Sequence, residues 1–148
     1  MNKFDTITAI QERLGDAVLE VKRKSDQRIY IDISAGKLTD ASRLMLEQPG
    51  ARLQIATGVD TSKGLEVMYH WAMDTDGIVI TLRVLVDHDS PELDSIAPFY
   101  PAAGWIEREI WELLGITFTG HPDLRHLLLA DDWPEGEYPM RRNHEVTT

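Results

Sequence analysis

A chain of 148 residues with 43% hydrophobic and 27% charged side chains is one domain's worth of polypeptide, long enough to bury a real core. Its net charge of -10 argues against nucleic acid as a partner, because phosphate neutralisation needs clustered Lys and Arg, and no basic stripe stands out. The absence of cysteine excludes disulfides and thiolate ligands for an iron–sulfur cluster, so any electron carrier in an assembly must sit on another chain.

The opening MNKFDTITAI lacks the apolar run of a signal peptide, and nowhere do roughly 18 apolar residues follow one another as a membrane span requires. A soluble, intracellular chain is expected. Phe4, Ile7, Ile10 and Leu14 predict a short helix that stops near Gly15-Asp16. Residues 17–21 and 28–33 then read as two strands joined through Ser25-Asp26-Gln27, with period two clearest in the second. Thr39 or Asp40 can cap a second helix through Leu44, Met45 and Leu46, ended by Pro49-Gly50.

Three more strands are predicted at 53–59, 65–73 and 78–86, separated by turns bearing Gly and Asp, so that they form an antiparallel meander. In the last, Ile78, Ile80, Leu82, Val84 and Val86 make one wholly apolar face, while Val79, Thr81, Arg83 and Leu85 make a mixed one. The order helix, two strands, helix, three strands gives the fold class: α+β, two-layer, with helices on one face of a mostly antiparallel five-stranded sheet. A further helix and an extended C-terminal tail follow it.

Six of the seven prolines lie after residue 90, and proline withholds a backbone donor, so this half cannot extend the sheet. Within it, Ala103, Ile106, Ile110, Leu113 and Leu114 recur at helical spacing, with Pro101 suited to the first turn and Gly115 to a left-handed stop. At about 100° per residue, Glu107 and Glu109 fall on opposite shoulders of the apolar stripe, and Arg108 and Glu112 point away from it, one turn apart and able to pair. From His121 on there is no sustained period, yet Leu127-Leu128-Leu129, Trp133, Tyr138 and Met140 remain, unlike the composition of a disordered tail. The expected organisation is an α+β domain over 1–119 and an extended tail over 120–148 that docks on a partner subunit.

The run Glu107-Arg108-Glu109, then Glu112-Leu113-Leu114-Gly115-Ile116, Phe118, Gly120-His121-Pro122-Asp123-Leu124-Arg125 and Leu127-Leu128-Leu129 resembles the signature of the thirty-kilodalton subunit family of respiratory complex I. That family, the C subunit of NADH-quinone oxidoreductase, includes the equivalent subunits of membrane-bound energy-converting nickel-iron hydrogenases. Residues 131–136 (DDWPEG, with Trp133), Tyr138-Pro139 and Arg141-Arg142 continue the match. His126 stands where a second arginine is common, and Asn143-His144-Glu145 replaces the usual basic, then acidic-aromatic ending.

The resemblance implies a non-catalytic subunit in the hydrophilic arm of a complex I-like redox machine. It implies no catalytic, cofactor-binding or metal-binding residue in this chain. Partner subunits would carry the iron–sulfur clusters, together with a nickel-iron centre, or FMN and quinone, according to branch. The implied partners are a large catalytic subunit, of the forty-nine-kilodalton or hydrogenase type, and the small iron–sulfur subunit, with no nucleic acid and no direct membrane span. The implied location is the cytoplasmic face of the inner membrane, reached peripherally through the complex. A compact chain ending soon after Arg142 leans to the hydrogenase or a related branch.

Two other classes stand beside this reading: an independent acid–base enzyme using the carboxylates of the Glu107 helix, and an unrelated adaptor domain. Glu107 and Glu109 lie about 200° apart around a helix and do not converge on one substrate atom. His121 and His126, with His70, His88 and His144, lack the spacing that sets two imidazoles on one helical face. His121 reads instead as a hydrogen-bonding hinge, and Asp87-His88-Asp89 as a solvated turn. Trp71, Trp105, Trp111 and Trp133 read as core or interface anchors. No glycine-rich phosphate loop is present.

Overall fold

The computed structural model describes the backbone of residues 3–142 and the side chains from Asp5 to Arg142. Helix α1 covers Lys3–Leu14 and buries Ile7 and Ile10, after which Gly15, at φ 52, breaks it into a short 3-10 turn. Strands β1 (Val18–Arg23) and β2 (Arg28–Ile33) form the predicted hairpin in antiparallel register. In β2 the alternation of the sequence becomes an alternation of burial: Ile29, Ile31 and Ile33 are at most 1% exposed, while Tyr30 and Asp32 are half-buried. Helix α2 (Leu38–Leu46) follows a 3-10 turn at Ala35–Lys37. Its N-cap is Lys37 with no side-chain cap, not Thr39 or Asp40, because the preceding turn already winds the chain into the helix.

Strands β3 (Ala51–Thr61), β4 (Gly64–Met73) and β5 (Ile78–Val86) are joined by turns too short for a crossover, which makes them antiparallel neighbours. The sheet order is β1-β2-β5-β4-β3. Among the described residues the fold is therefore α+β, with a five-stranded, mostly antiparallel sheet and three α-helices. The middle pairing departs from antiparallel: β2 runs parallel to β5, with Ile29 opposite Ile80 and Asp32 opposite Arg83. β5 suits the central place because its apolar face is wholly buried and Thr81, on the other face, is 1% exposed.

The proline-bearing half does contain strands, though they lie outside the main sheet. Three-residue strands β6 (Glu92–Asp94) and β7 (Thr117–Thr119) pair in parallel and set Leu93 beside Phe118, both buried. Between them runs helix α3 (Ala103–Leu114). By its contacts the chain divides into two compact units. One is the chain up to Ala56 with Met68–Val84, and the other is Thr57–Val67 with the chain from Leu85 on.

In the first unit the core is the apolar faces of α1, α2, β2 and those parts of β4 and β5 that belong to the unit, including the fully buried Trp71. In the second, β3 approaches α3 at Gly58, where a Cβ would come within 2.5 Å of Leu114 and 3.1 Å of Ile110. Ile31→Ala is expected to cost about 2–5 kcal/mol of unfolding free energy through the cavity it leaves. Leu19→Ala, at a side chain 69% exposed, should stay within about 0.5 kcal/mol. Urea denaturation of both variants measures the contrast.

Candidate interaction site on helix α3

Helix α3 ends where predicted, at Gly115 with φ 78, but starts two residues after Pro101, with Ala102 as its N-cap. Its charged residues are not where amphipathic spacing puts them. Glu107, Arg108 and Glu112 are buried, at 0, 6 and 1% exposure, whereas Glu109 lies in solvent. Arg108 and Glu112 neither point away from the protein nor pair with one another. Both are buried because the same strip of main chain covers them, and each meets the demand that a buried charge be hydrogen-bonded.

Glu107 holds the turn after β6. Its Oε1 accepts from the Ser95 hydroxyl at 2.6 Å and its Oε2 from the Ile96 amide at 3.2 Å, while the Ala97 amide donates to the Ser95 oxygen at 3.0 Å. Arg108 and Glu112, on the same flank of the helix, take hold of the ribbon 125–129 from both polarities. Arg108 donates Nε to the Arg125 carbonyl at 2.9 Å and Nη2 to the His126 carbonyl at 2.7 Å. Glu112 accepts the amides of Leu127, Leu128 and Leu129 at 2.9, 2.6 and 3.3 Å. The His126 ring completes the set, 3.2 Å from Glu112 Oε2 and with its centroid 5.3 Å from that of Trp111. Burial raises the Glu112 pKa, but the three amides and His126 together outweigh it and hold the carboxyl below its ordinary value.

A second anchorage lies at the C-terminal end of α3. Tyr138 packs its ring over Gly115, so closely that a Cβ there would come within 2.5 Å of it. The Met140 amide donates to the Leu113 carbonyl at 3.0 Å, and Arg141 Nε donates to the Leu114 carbonyl. Carbonyls left open by the end of the helix are thereby satisfied, with a cation near the negative end of its dipole. The Arg141 guanidinium also sits 5.6 Å from the centre of the Tyr138 ring. One residue on, the Arg142 amide donates to Asp60 Oδ2 at 2.8 Å.

Asp60 Oδ1 meets His88 Nε2 at 2.6 Å, so Asp87-His88-Asp89 is not merely a solvated turn: its two aspartates are exposed and its histidine is tied to β3. Burial raises the Asp60 pKa, and the Arg142 amide, His88 and Arg141 together bring it below the usual carboxylate range. Sequence reasoning missed Asp60 and Ser95, and no period or motif marks either.

The remaining signature residues surround these anchors. His121, read from the sequence as a hydrogen-bonding hinge, makes two hydrogen-bond contacts: Nε2 lies 2.9 Å from the Gly104 carbonyl, and Nδ1 accepts the Asp123 amide at 3.0 Å. Gly120, at φ 81, turns the chain from β7 toward it. Pro122 joins Pro98, Pro101 and Trp105 in lining a groove of about 370 Å³, and Trp105 stands 70% exposed beside it. Arg125 extends its side chain outward, 73% exposed and 3.0 Å from Asp123, although its carbonyl is held by Arg108. Leu128 is likewise 63% exposed above its tethered amide. Between the two anchorages Trp133 donates its indole N–H to the Glu137 carbonyl at 2.7 Å, and Pro139 is half-buried.

His70 lies 2.8 Å from Thr81 Oγ1, and each of the other described histidines has its own separate partner: Asp60 for His88, the Gly104 carbonyl for His121 and Glu112 for His126. His144, with Asn143 and Glu145, lies outside the described residues.

Chemically, the flank of α3 is a main-chain receptor, and Glu107 and Glu112 commit their oxygens to separate donors. Glu112→Gln places an amide NH₂ against N–H donors and is expected to cost about 1.5–3 kcal/mol, with faster hydrogen exchange at Leu127–Leu129. Glu109→Gln should change neither. Because the Glu112 carboxyl is depressed in the folded chain, its contribution is complete above its unfolded value of 4.5 and disappears as pH falls through the lower folded value. Exchange protection of the ribbon should therefore fall below that pH, and the Gln variant should lose the dependence.

The sequence matches, over residues 31–148, the family described as the respiratory-chain NADH dehydrogenase 30 Kd subunit. It is 34% identical to the C subunit of F(420)H(2) dehydrogenase from Methanosarcina mazei, an alignment covering 98% of this chain and 93% of that protein. It is also 34% identical to hydrogenase-4 component G of Escherichia coli, across 93% of this chain but 25% of that one, so it spans about a quarter of that relative's length. A chain of the membrane-bound sulfane sulfur reductase, an archaeal respiratory membrane complex, shares the fold at TM-score 0.84 and 24% identity, with 97% of this chain and 85% of that chain covered. The chain belongs to the 30 Kd subunit family of the respiratory-chain NADH dehydrogenase.

Proposed function

We propose that this chain is a structural subunit, without a catalytic site of its own, in the hydrophilic arm of a complex I-like, membrane-associated redox complex. In this reading it holds a large catalytic subunit, of the forty-nine-kilodalton or hydrogenase type, beside a small iron–sulfur subunit. Those partners carry the clusters and either the nickel-iron centre or the FMN and quinone. It reaches the cytoplasmic face of the membrane peripherally, and the complex couples electron transfer to ion translocation. Among the described residues no helix is long and apolar enough to cross a membrane.

The observation that carries the reading is the use made of Arg108 and Glu112. Together they fix five consecutive residues of irregular chain by main-chain atoms, leaving the side chains of Arg125 and Leu128 turned outward. A ribbon held in this way is preorganised for docking, because its ordering entropy is lost before a partner arrives. Family membership supports the reading. So does the length of hydrogenase-4 component G, in which the matching stretch is continuous with a much larger polypeptide.

Arg125→Ala tests it. The side chain is exposed in the free chain, so the thermal midpoint should be nearly unchanged. If Arg125 is desolvated against a carboxylate of the large subunit, recovery of that subunit should fall, at a binding cost of about 2–5 kcal/mol. Arg125→Lys should not restore it, because lysine lacks the bidentate fork. Earlier unfolding with undiminished assembly would instead make Arg125 a residue of the fold.

A further inference from the structure

The chain is strongly acidic overall, yet residues 22–28 hold four cations, Lys22, Arg23, Lys24 and Arg28, against the single carboxylate of Asp26. The hairpin of β1 and β2 closes here. The amides of Lys24 and Ser25 both donate to the Arg28 carbonyl, at 2.9 and 3.3 Å, which brings Lys24 and Arg28 to one end of an edge strand. Tyr30, opposite Lys22 in the hairpin register, stands among them. Lys24 Nζ is 5.6 Å from its ring centre, Arg83 Cζ is 5.7 Å from it, and Arg28 Nη2 donates to its hydroxyl at 3.5 Å.

The cations divide by partner. Arg83 is neutralised by a two-pronged pair with Asp32, both contacts at 2.8 Å, and Lys22 lies 3.5 Å from Glu20. Lys24 and Arg28 are exposed; each meets Tyr30, and among the described residues neither has a carboxylate within ion-pair distance. An aromatic face and a phenol oxygen satisfy a cation only in part, so both retain their field. His70 registers it: burial lowers its pKa, and the charge of Arg28 lowers it further.

We propose that Lys24, Arg28 and the Tyr30 hydroxyl form a docking site for a carboxylate-rich segment of a neighbouring polypeptide. The proposal rests on the reading of the chain as a subunit of a larger complex. The guanidinium of Arg28 offers a planar fork to a carboxylate, Lys24 a point charge beside it, and the Tyr30 O–H a third donor. A short acidic segment seated within about 8 Å of the patch, inside the screening length at physiological salt, meets these cations rather than the distant carboxylates behind the net charge of -10, and a membrane surface is set against it in the test below.

The test uses the full chain, a fluorescent poly-glutamate peptide and phosphatidylglycerol vesicles. The peptide should bind saturably, more weakly as salt rises, and should raise the His70 pKa seen by NMR by supplying a negative charge beside Arg28. The double variant Lys24→Glu/Arg28→Glu should lose at least about tenfold in affinity, with circular dichroism and thermal midpoint unchanged. Tyr30→Phe should weaken binding while leaving both cations in place.

Absence of saturable peptide binding, equal binding by the double variant, or binding to vesicles alone would each overturn the proposal. In the complex, the double variant should be recovered less well with its partner subunits. Recovery at the wild-type level overturns the docking site and leaves the subunit reading standing. A wild-type chain that binds peptide but recovers no partner overturns the subunit reading, and with it the placing of the acidic segment in the complex.

Discussion

Three charged side chains on one helix cannot be buried without partners, and most of the second unit follows from how that requirement is met. A lone carboxylate or guanidinium in a protein interior is costly, and a pair of opposite charges would relieve it only partly. Here Arg108 and Glu112 are satisfied chiefly by backbone atoms, and Glu107 by one side-chain hydroxyl and one backbone amide, of segments that have no helix or sheet of their own at the points of contact. The dependence runs in both directions. The helix can bury its charges only if the ribbon lies across it, and the ribbon's amides and carbonyls can leave water only because the helix receives them.

This mutual dependence explains how a proline-punctuated stretch becomes shaped surface. Proline excludes most of it from a sheet, and its polar spacing excludes an amphipathic helix. Side-chain receptors supply what secondary structure would otherwise supply: Glu112 takes three successive amides, Arg108 takes two successive carbonyls, and the end of α3 accepts from Met140 and Arg141. Asp60 extends the same device to β3.

Much of the fold was legible because its elements repeat. The alternation through Arg28–Ile33 and Ile78–Val86 gives both strands with the observed bounds, and the spacing from Ala103 to Leu114 with Gly115 gives the last helix. The pairing of β2 with β5 was not legible. Hydrophobic alternation fixes which face is buried but not which strand lies alongside, and the short turns joining β1 to β2 and β3 to β4 to β5 suggested only local neighbours. β6 and β7 escaped because three residues are too few to show a period. On α3 the spacing rule failed for Arg108 and Glu112, since helical angle alone takes no account of a later segment folding back over a polar flank. The signature includes both residues, while the contacts they make required coordinates.

The grip of α3 on the ribbon is made almost wholly through atoms that every amino acid shares. Arg108 contacts carbonyl oxygens, and Glu112 contacts peptide N–H groups with one imidazole beside them. Substitution of the exposed Arg125 or Leu128 therefore leaves these main-chain contacts in place, whereas the His126 ring, which meets Glu112 and Trp111, is part of the grip itself. A helix and ribbon built in this way form a cassette whose contact surface can be rewritten to suit different assemblies without redesign of the frame, and that freedom is denied to Arg108 and Glu112 themselves.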